Sequence, residues 1–151
     1  MKKILILLIF LYGHLYALER KSTLKMYHSI FAALSPKASI AVYTNDKEYR
    51  DVFSHSKRIF LSDKLQDADI VLITDERTLN NILYWVKVNT NMEKKPIIFV
   101  TNYHFLDKSD DILGAFYWRK GRSQLLFIHD RLKEHNITLP QAYQNFMIDE
   151  L

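Results

Sequence analysis

Apolar positions along the chain follow two periods. Leu24, Tyr27, Ile30, Phe31 and Leu34 recur at helical spacing, so Ser22 to Leu34 reads as a helix that stops before Pro36. Ala38 to Tyr43 is a compact apolar run, read as a first core strand. Thr44-Asn45-Asp46 supplies a turn and an N-cap for a helix over Lys47 to Phe53. Arg58 to Leu61 is a short strand, and Ser62-Asp63 opens a brief turn.

Asp67-Ala68-Asp69-Ile70-Val71-Leu72-Ile73-Thr74-Asp75 is the central stretch, with an unbroken apolar run between acidic groups. Pro96-Ile97-Ile98-Phe99-Val100-Thr101-Asn102 answers it about one helix length later. Runs this short and rich in Ile and Val are strands buried on both faces. Thr78 to Asn91 leaves room for a crossover helix, with Asp75 as its cap and Leu79, Ile82, Leu83 and Val86 on the buried side. The strand, helix and strand form a right-handed βαβ unit.

Beyond Asn102 the pattern changes. His104 to Leu106 fits a short turn. Asp111 to Arg119 and Arg122 to Ile128 are strands joined across Lys120-Gly121, a hairpin link because Gly permits positive φ. Asp130 to His135 reads as a helix, and Leu139-Pro140 opens a last helical segment with Ala142, Phe146 and Met147 at core spacing. The expected fold is α/β: a mostly parallel open sheet flanked by helices and closed by a C-terminal antiparallel hairpin.

The N-terminus stands apart. Met1-Lys2-Lys3 is basic, Ile4 to Tyr12 is continuously apolar, and Gly13 to Ala17 leads to a small residue, the layout of a secretory signal peptide. The alternative is an uncleaved anchor, but the run is shorter than the roughly 20 residues that span a bilayer. The expected organisation is a signal peptide over 1–17 and one α/β domain over 18–151, exported to the periplasm. The length of 151 residues fits one domain, and 48% hydrophobic residues are enough for a core. Removing Lys2 and Lys3 lowers the net charge from +4 to +2, because no acidic residue leaves with them. A charge that small gives no reason to expect nucleic acid as a partner. The chain has no cysteine, which excludes disulfides, thiolate catalysis and Cys-based zinc sites.

No cofactor can be read from the sequence. Beyond residue 17 only Gly114 and Gly121 remain, so phosphate-loop and dinucleotide fingerprints fail, and there is no Gly-x-Ser-x-Gly elbow. His28, His55, His104, His129 and His135 are scattered without an i, i+4 pair. No nucleophile–base set is visible, which points away from an enzyme.

Two candidate sites remain. Ligands of open α/β sheets bind beyond the carboxyl ends of the strands. Thr74, Asp75, Thr101 and Asn102 stand at such ends, with His104 close behind. The same residue types are also cap and turn formers. Asp75 and Thr101 look like the phosphoacceptor Asp and switch Thr of response-regulator receiver domains. Asn45-Asp46 supplies only half of that family's acidic pair, and its Lys is matched only by Lys120 in a hairpin turn. The second candidate is the hairpin, where Tyr117 and Trp118 stand beside Arg119, Lys120 and Arg122. One small sheet edge cannot bury both faces of such a strand, so an exposed aromatic edge would suit a protein interface. Alternatively, the segment from Ala142 to Met147 covers it.

Taken in order, several local patterns resemble the YfiR-like periplasmic family over roughly Leu24 to Met147. They are a first helix ending near Pro36, Ile40-Ala41-Val42-Tyr43 running into Asn45-Asp46, and Ala68-Asp69-Ile70-Val71-Leu72-Ile73. Pro96 to Thr101, Gly114-Ala115-Phe116, Leu125-Leu126-Phe127-Ile128 and Asn136-Ile137-Thr138-Leu139 complete them. The resemblance implies a non-enzymatic periplasmic regulator. Such a protein binds and inhibits a membrane-bound signalling protein, typically a diguanylate cyclase, through the partner's periplasmic part. A homodimer is compatible with it. The competing expectation is a small-ligand-binding accessory protein of a transporter or chemoreceptor.

Overall fold

The computed structural model describes residues 19–151, so the expected signal peptide lies outside the described residues. Residues 19–34 are helical (α1). Then follow β1 (Ile40–Tyr43), α2 (Lys47–Ser54), β2 (Ile59–Leu61), β3 (Ile70–Ile73), α3 (Glu76–Val88) and β4 (Ile97–Val100). The hairpin strands β5 (Ile112–Arg119) and β6 (Arg122–Ile128), α4 (His129–Glu134) and β7 (Met147–Ile148) complete the order.

Among the described residues the strands form one seven-stranded sheet, in the order β2-β1-β3-β4-β5-β6-β7. The first five are mutually parallel, and β5 pairs antiparallel with β6. The α/β architecture and the closing hairpin are therefore present, and β7 adds one parallel strand beyond the hairpin.

Alternation along β3 and β4 feeds two cores. Ile70, Leu72, Ile97 and Phe99 face α1 and α2, where Tyr27, Phe31 and Phe53 fill the space. Val71, Ile73, Ile98 and Val100 face α3 through Leu79, Ile82 and Val86. Every residue of β3 and β4 is buried, as expected of strands covered on both sides. Tyr27 is the hub of the first core. Its ring meets Tyr49, Phe53 and Phe116 edge-on at 5.4, 5.5 and 5.5 Å, a favoured aromatic geometry.

The β4–β5 register steps from Ile98↔Ile112 to Phe99↔Gly114, so Leu113 is an extra residue. This bulge puts Leu113 into the α1-side core, while Ile112 and Ala115 stay in the other. Gly114 follows directly. A Cβ there would lie 2.5 Å from the Leu126 carbonyl oxygen and 2.9 Å from the Phe127 ring. At the hairpin tip Lys120 and Gly121 both have positive φ, 51° and 74°, as a two-residue turn matching strand twist requires.

One expectation is corrected. The last segment is a 3-10 helix, Gln141–Phe146, leading into β7. Its three-residue turn breaks the assumed 3.6 period, so Ala142 and Phe146 are exposed. Tyr143 and Met147 pack on the core instead, Tyr143 edge-on to Phe127 at 6.0 Å. Arg131, on α4, holds the β4–β5 connection: the two N–H groups of its Nη1 serve three carbonyls, of Leu106, Ser109 and Ile112, at 2.9, 3.0 and 2.9 Å, one N–H being shared between two of them.

Candidate functional site

The strand order reverses between β1 and β3, the point where an open α/β sheet holds a ligand beyond its carboxyl ends. The polar residues there are engaged by the backbone. Asp46 Oδ1 accepts from the Glu48 and Tyr49 N–H groups and starts α2. Asp75 Oδ1 accepts from the Thr78 N–H at 2.9 Å and starts α3. That N–H, helped by the Thr78 side chain, holds the Asp75 carboxyl below the usual carboxylate range. Asn102 Oδ1 accepts from the His104 N–H at 3.0 Å. The Thr101 hydroxyl reaches the Ile73 carbonyl at 3.5 Å, and Thr74 is half-buried beside it. Two concavities among the described residues are not lined by Thr74, Asp75, Thr101, Asn102 or His104. Asp75, Asn102 and Thr101 thus have local structural roles. The comparison with receiver domains gains nothing from Lys120, which sits at the hairpin tip.

The hairpin candidates divide between two faces. Trp118 follows Phe116 onto the α1 side, where it is 73% exposed and lies opposite Ser123. There it edges a groove of about 920 Å³, whose floor includes Tyr49, Val52 and Phe116 and whose rim includes Lys21 and Lys25. Tyr117 and Arg119 turn to the α3 side. The Tyr117 ring lies 5.0 Å from that of Tyr103, and the Arg119 Cζ stands 5.6 Å from the centre of the same ring. His104 stacks on Tyr103 at 3.9 Å. Arg122 pairs directly opposite Arg119 and so shares its face. His104, read as a strand-end residue, therefore joins the hairpin residues Tyr117 and Arg119 around Tyr103, which sequence reading did not single out. The signal was available: Tyr103 directly follows the cap Asn102.

A second missed feature lies at the opposite, amino edge of the sheet. The Asp69 side chain is only 8% exposed, and its Oδ1 receives both Lys37 Nζ and Lys94 Nζ at 2.6 Å. Its Oδ2 accepts from the Ala41 N–H at 3.0 Å. Burial alone would raise this carboxyl, but Lys37, Lys94 and that N–H outweigh it and hold the group below the usual range. The same contact raises Lys37. The cluster joins the starts of β1, β3 and β4.

Among the described residues no three His, Asp or Glu side chains are grouped to hold a metal ion, and no buried side-chain polar atom lacks a partner. No helix among them is long and apolar enough to cross a membrane.

No family model matches the chain, and no curated protein matches it. A solved structure does share the fold: a conserved domain protein from Vibrio cholerae O1 biovar eltor str. N16961, with a TM-score of 0.55 and 11% sequence identity. The match covers 82% of this chain and 58% of that one, so this chain corresponds to little more than half of that protein's length.

Proposed function

We propose that this chain is a non-enzymatic periplasmic regulator that binds and inhibits a membrane-bound signalling protein, typically a diguanylate cyclase, through the partner's periplasmic part. The observation that carries the reading is the hairpin end. Trp118 stands 73% exposed on one face, and the Arg119 guanidinium lies over Tyr103 on the other. Trp, Tyr and Arg are the residues that most often dominate binding energy at interfaces. The N-terminal leader pattern supplies the address, and the YfiR-like resemblance supplies the kind of partner.

The test is binding to the periplasmic part of a membrane signalling protein encoded beside this chain. Trp118→Ala and Arg119→Ala, each with an unchanged circular dichroism spectrum, should weaken binding by at least about 1–2 kcal/mol. Asp75→Ala and Asn102→Ala should act only through a lost cap. Loss of binding in the cap variants, with none in the hairpin variants, would move the interface elsewhere.

One observation favours the second reading, a small-ligand-binding accessory protein. The groove beside Trp118, at about 920 Å³, is of ligand-binding size. In that case a small molecule should raise the melting temperature of the isolated protein, and Trp118→Ala should abolish the rise.

A further inference from the structure

β2 is an outer strand of the sheet, and the chain beyond it is unusual. The β2–β3 connection carries only a 3-10 turn, Leu65–Asp67, where α3 serves the β3–β4 connection. Among the described residues no helix covers the α3-side face at this edge, and Phe60 stands there 54% exposed beside its in-register neighbour Ala41.

The hydrogen bonds show which backbone groups of β2 turn outward. The Arg58 carbonyl accepts from the Ile40 N–H at 2.8 Å, and the Ser62 N–H donates to the Val42 carbonyl at 2.9 Å. Even-numbered residues therefore serve β1, and Ile59 and Leu61 direct their backbone groups away from it. The Ile59 N–H is engaged by Ser56 Oγ at 2.8 Å. The outward Leu61 N–H and Ile59 carbonyl are a donor and an acceptor two residues apart.

The sequence around Phe60 is self-complementary when read against its own reverse. In Lys57-Arg58-Ile59-Phe60-Leu61-Ser62-Asp63, pairing about Phe60 sets Lys57 against Asp63, Arg58 against Ser62 and Ile59 against Leu61. Short length and flanking cations also guard an edge against unselective pairing. The acid at Asp63 is what turns a guarded edge into one that fits its own copy. Asp63 bonds Arg50 through Oδ1 at 2.8 Å, but its side chain is 86% exposed.

We propose that two copies of this chain join antiparallel through β2, about a two-fold axis at Phe60. Each Leu61 N–H then donates to the Ile59 carbonyl of the other copy. The two Phe60 rings meet on the uncovered face, and Lys57 of each copy meets Asp63 of the other. Phe60 occupies the non-hydrogen-bonded position, where facing Cα atoms approach to about 4.5 Å. The interface is isologous and closes at two chains.

The absence of native cysteine makes the geometry directly testable. Phe60→Cys puts the single thiol at the axis, at a Cα separation a disulfide tolerates. Mild oxidation should convert this variant to a covalent dimer, whereas Tyr84→Cys, on the outer face of α3, should stay monomeric on a reducing-agent-free gel. By sedimentation, Phe60→Asp should weaken the dimer by about tenfold or more, because like charges would face each other at the axis. Lys57→Asp should weaken it, and adding Asp63→Lys should restore it. A protein that is monomeric at all concentrations overturns the proposal. So does a dimer indifferent to Phe60→Asp, or open-ended assembly in place of a closed pair.

Discussion

Gly114 and Leu126 approach so closely across the β5–β6 ladder that a Cβ on Gly114 would sit 2.5 Å from the Leu126 carbonyl oxygen. The obstacle is backbone, which cannot rotate aside as a side chain would. Phe127 and Phe99 close the other two directions at 2.9 and 3.0 Å. Gly114→Ala should therefore push β5 away from β6 and lower stability by about 1–3 kcal/mol. Urea unfolding measures this, and an unchanged midpoint would show that the strands have room to part.

Asp69→Asn should lower stability by about 1–3 kcal/mol, because it removes the charge that two lysines share and leaves a polar group in a buried place. The pH dependence has a definite sign. The folded carboxyl lies below its ordinary value, so its contribution is complete above that value and is lost as pH falls through the depressed one. Acid unfolding of the native protein should be steeper than that of Asp69→Asn. Coincident acid limbs would mean the lysine contacts carry no net energy.

Ile70 and Ile98 serve opposite cores, the first facing α1 and the second α3. Either Ile→Ala change should cost about 2–5 kcal/mol in lost burial and cavity formation. Their effects should add, since the residues share no core. A cost under about 1 kcal/mol at either site would mean that the core there can collapse around the gap.

His28 gives a test near neutral pH. Its Nε2 lies 2.5 Å from Ser56 Oγ, which already accepts from the Arg58 and Ile59 N–H groups. The serine O–H is thus free to donate to His28, which must be unprotonated to accept it. Burial, then the Arg58 charge, lowers the His28 pKa from its ordinary value. The folded state binds this proton less readily than the unfolded one, so stability should fall as pH drops below about 6.5. His28→Gln should flatten that part of the stability–pH curve, and an unaltered slope would rule His28 out as its source.

The sheet was legible because Asp69 to Thr74 and Pro96 to Asn102 carry a signal that needs no tertiary information: short Ile- and Val-rich runs with polar ends. The caps Asp46 and Asp75 and the Lys120-Gly121 turn were legible for the same local reason. What failed depended on distant partners. Ala142 and Phe146 had helical spacing, but β6 drew the following residues into β7 and left both exposed. Asp69 read as a strand flank, because Lys37 and Lys94 lie 32 and 25 residues away in the chain. The candidate hairpin surface divided because adjacent strand residues point to opposite faces, a consequence of period two that applies to Tyr117 and Trp118 as to any neighbours.

The Arg131 latch bears on the order in which the chain can complete itself. Its three acceptors precede it by 25, 22 and 19 residues. A growing chain that has just finished β5 therefore presents the Leu106, Ser109 and Ile112 carbonyls without this guanidinium. The hairpin must close and α4 must form before the donor arrives. Early-made β4 and β5 would thus remain unlocked until late-made residues return to them, so nascent chains ending before Arg131 should be far more open to protease between Asn102 and Asp111 than chains that extend past it.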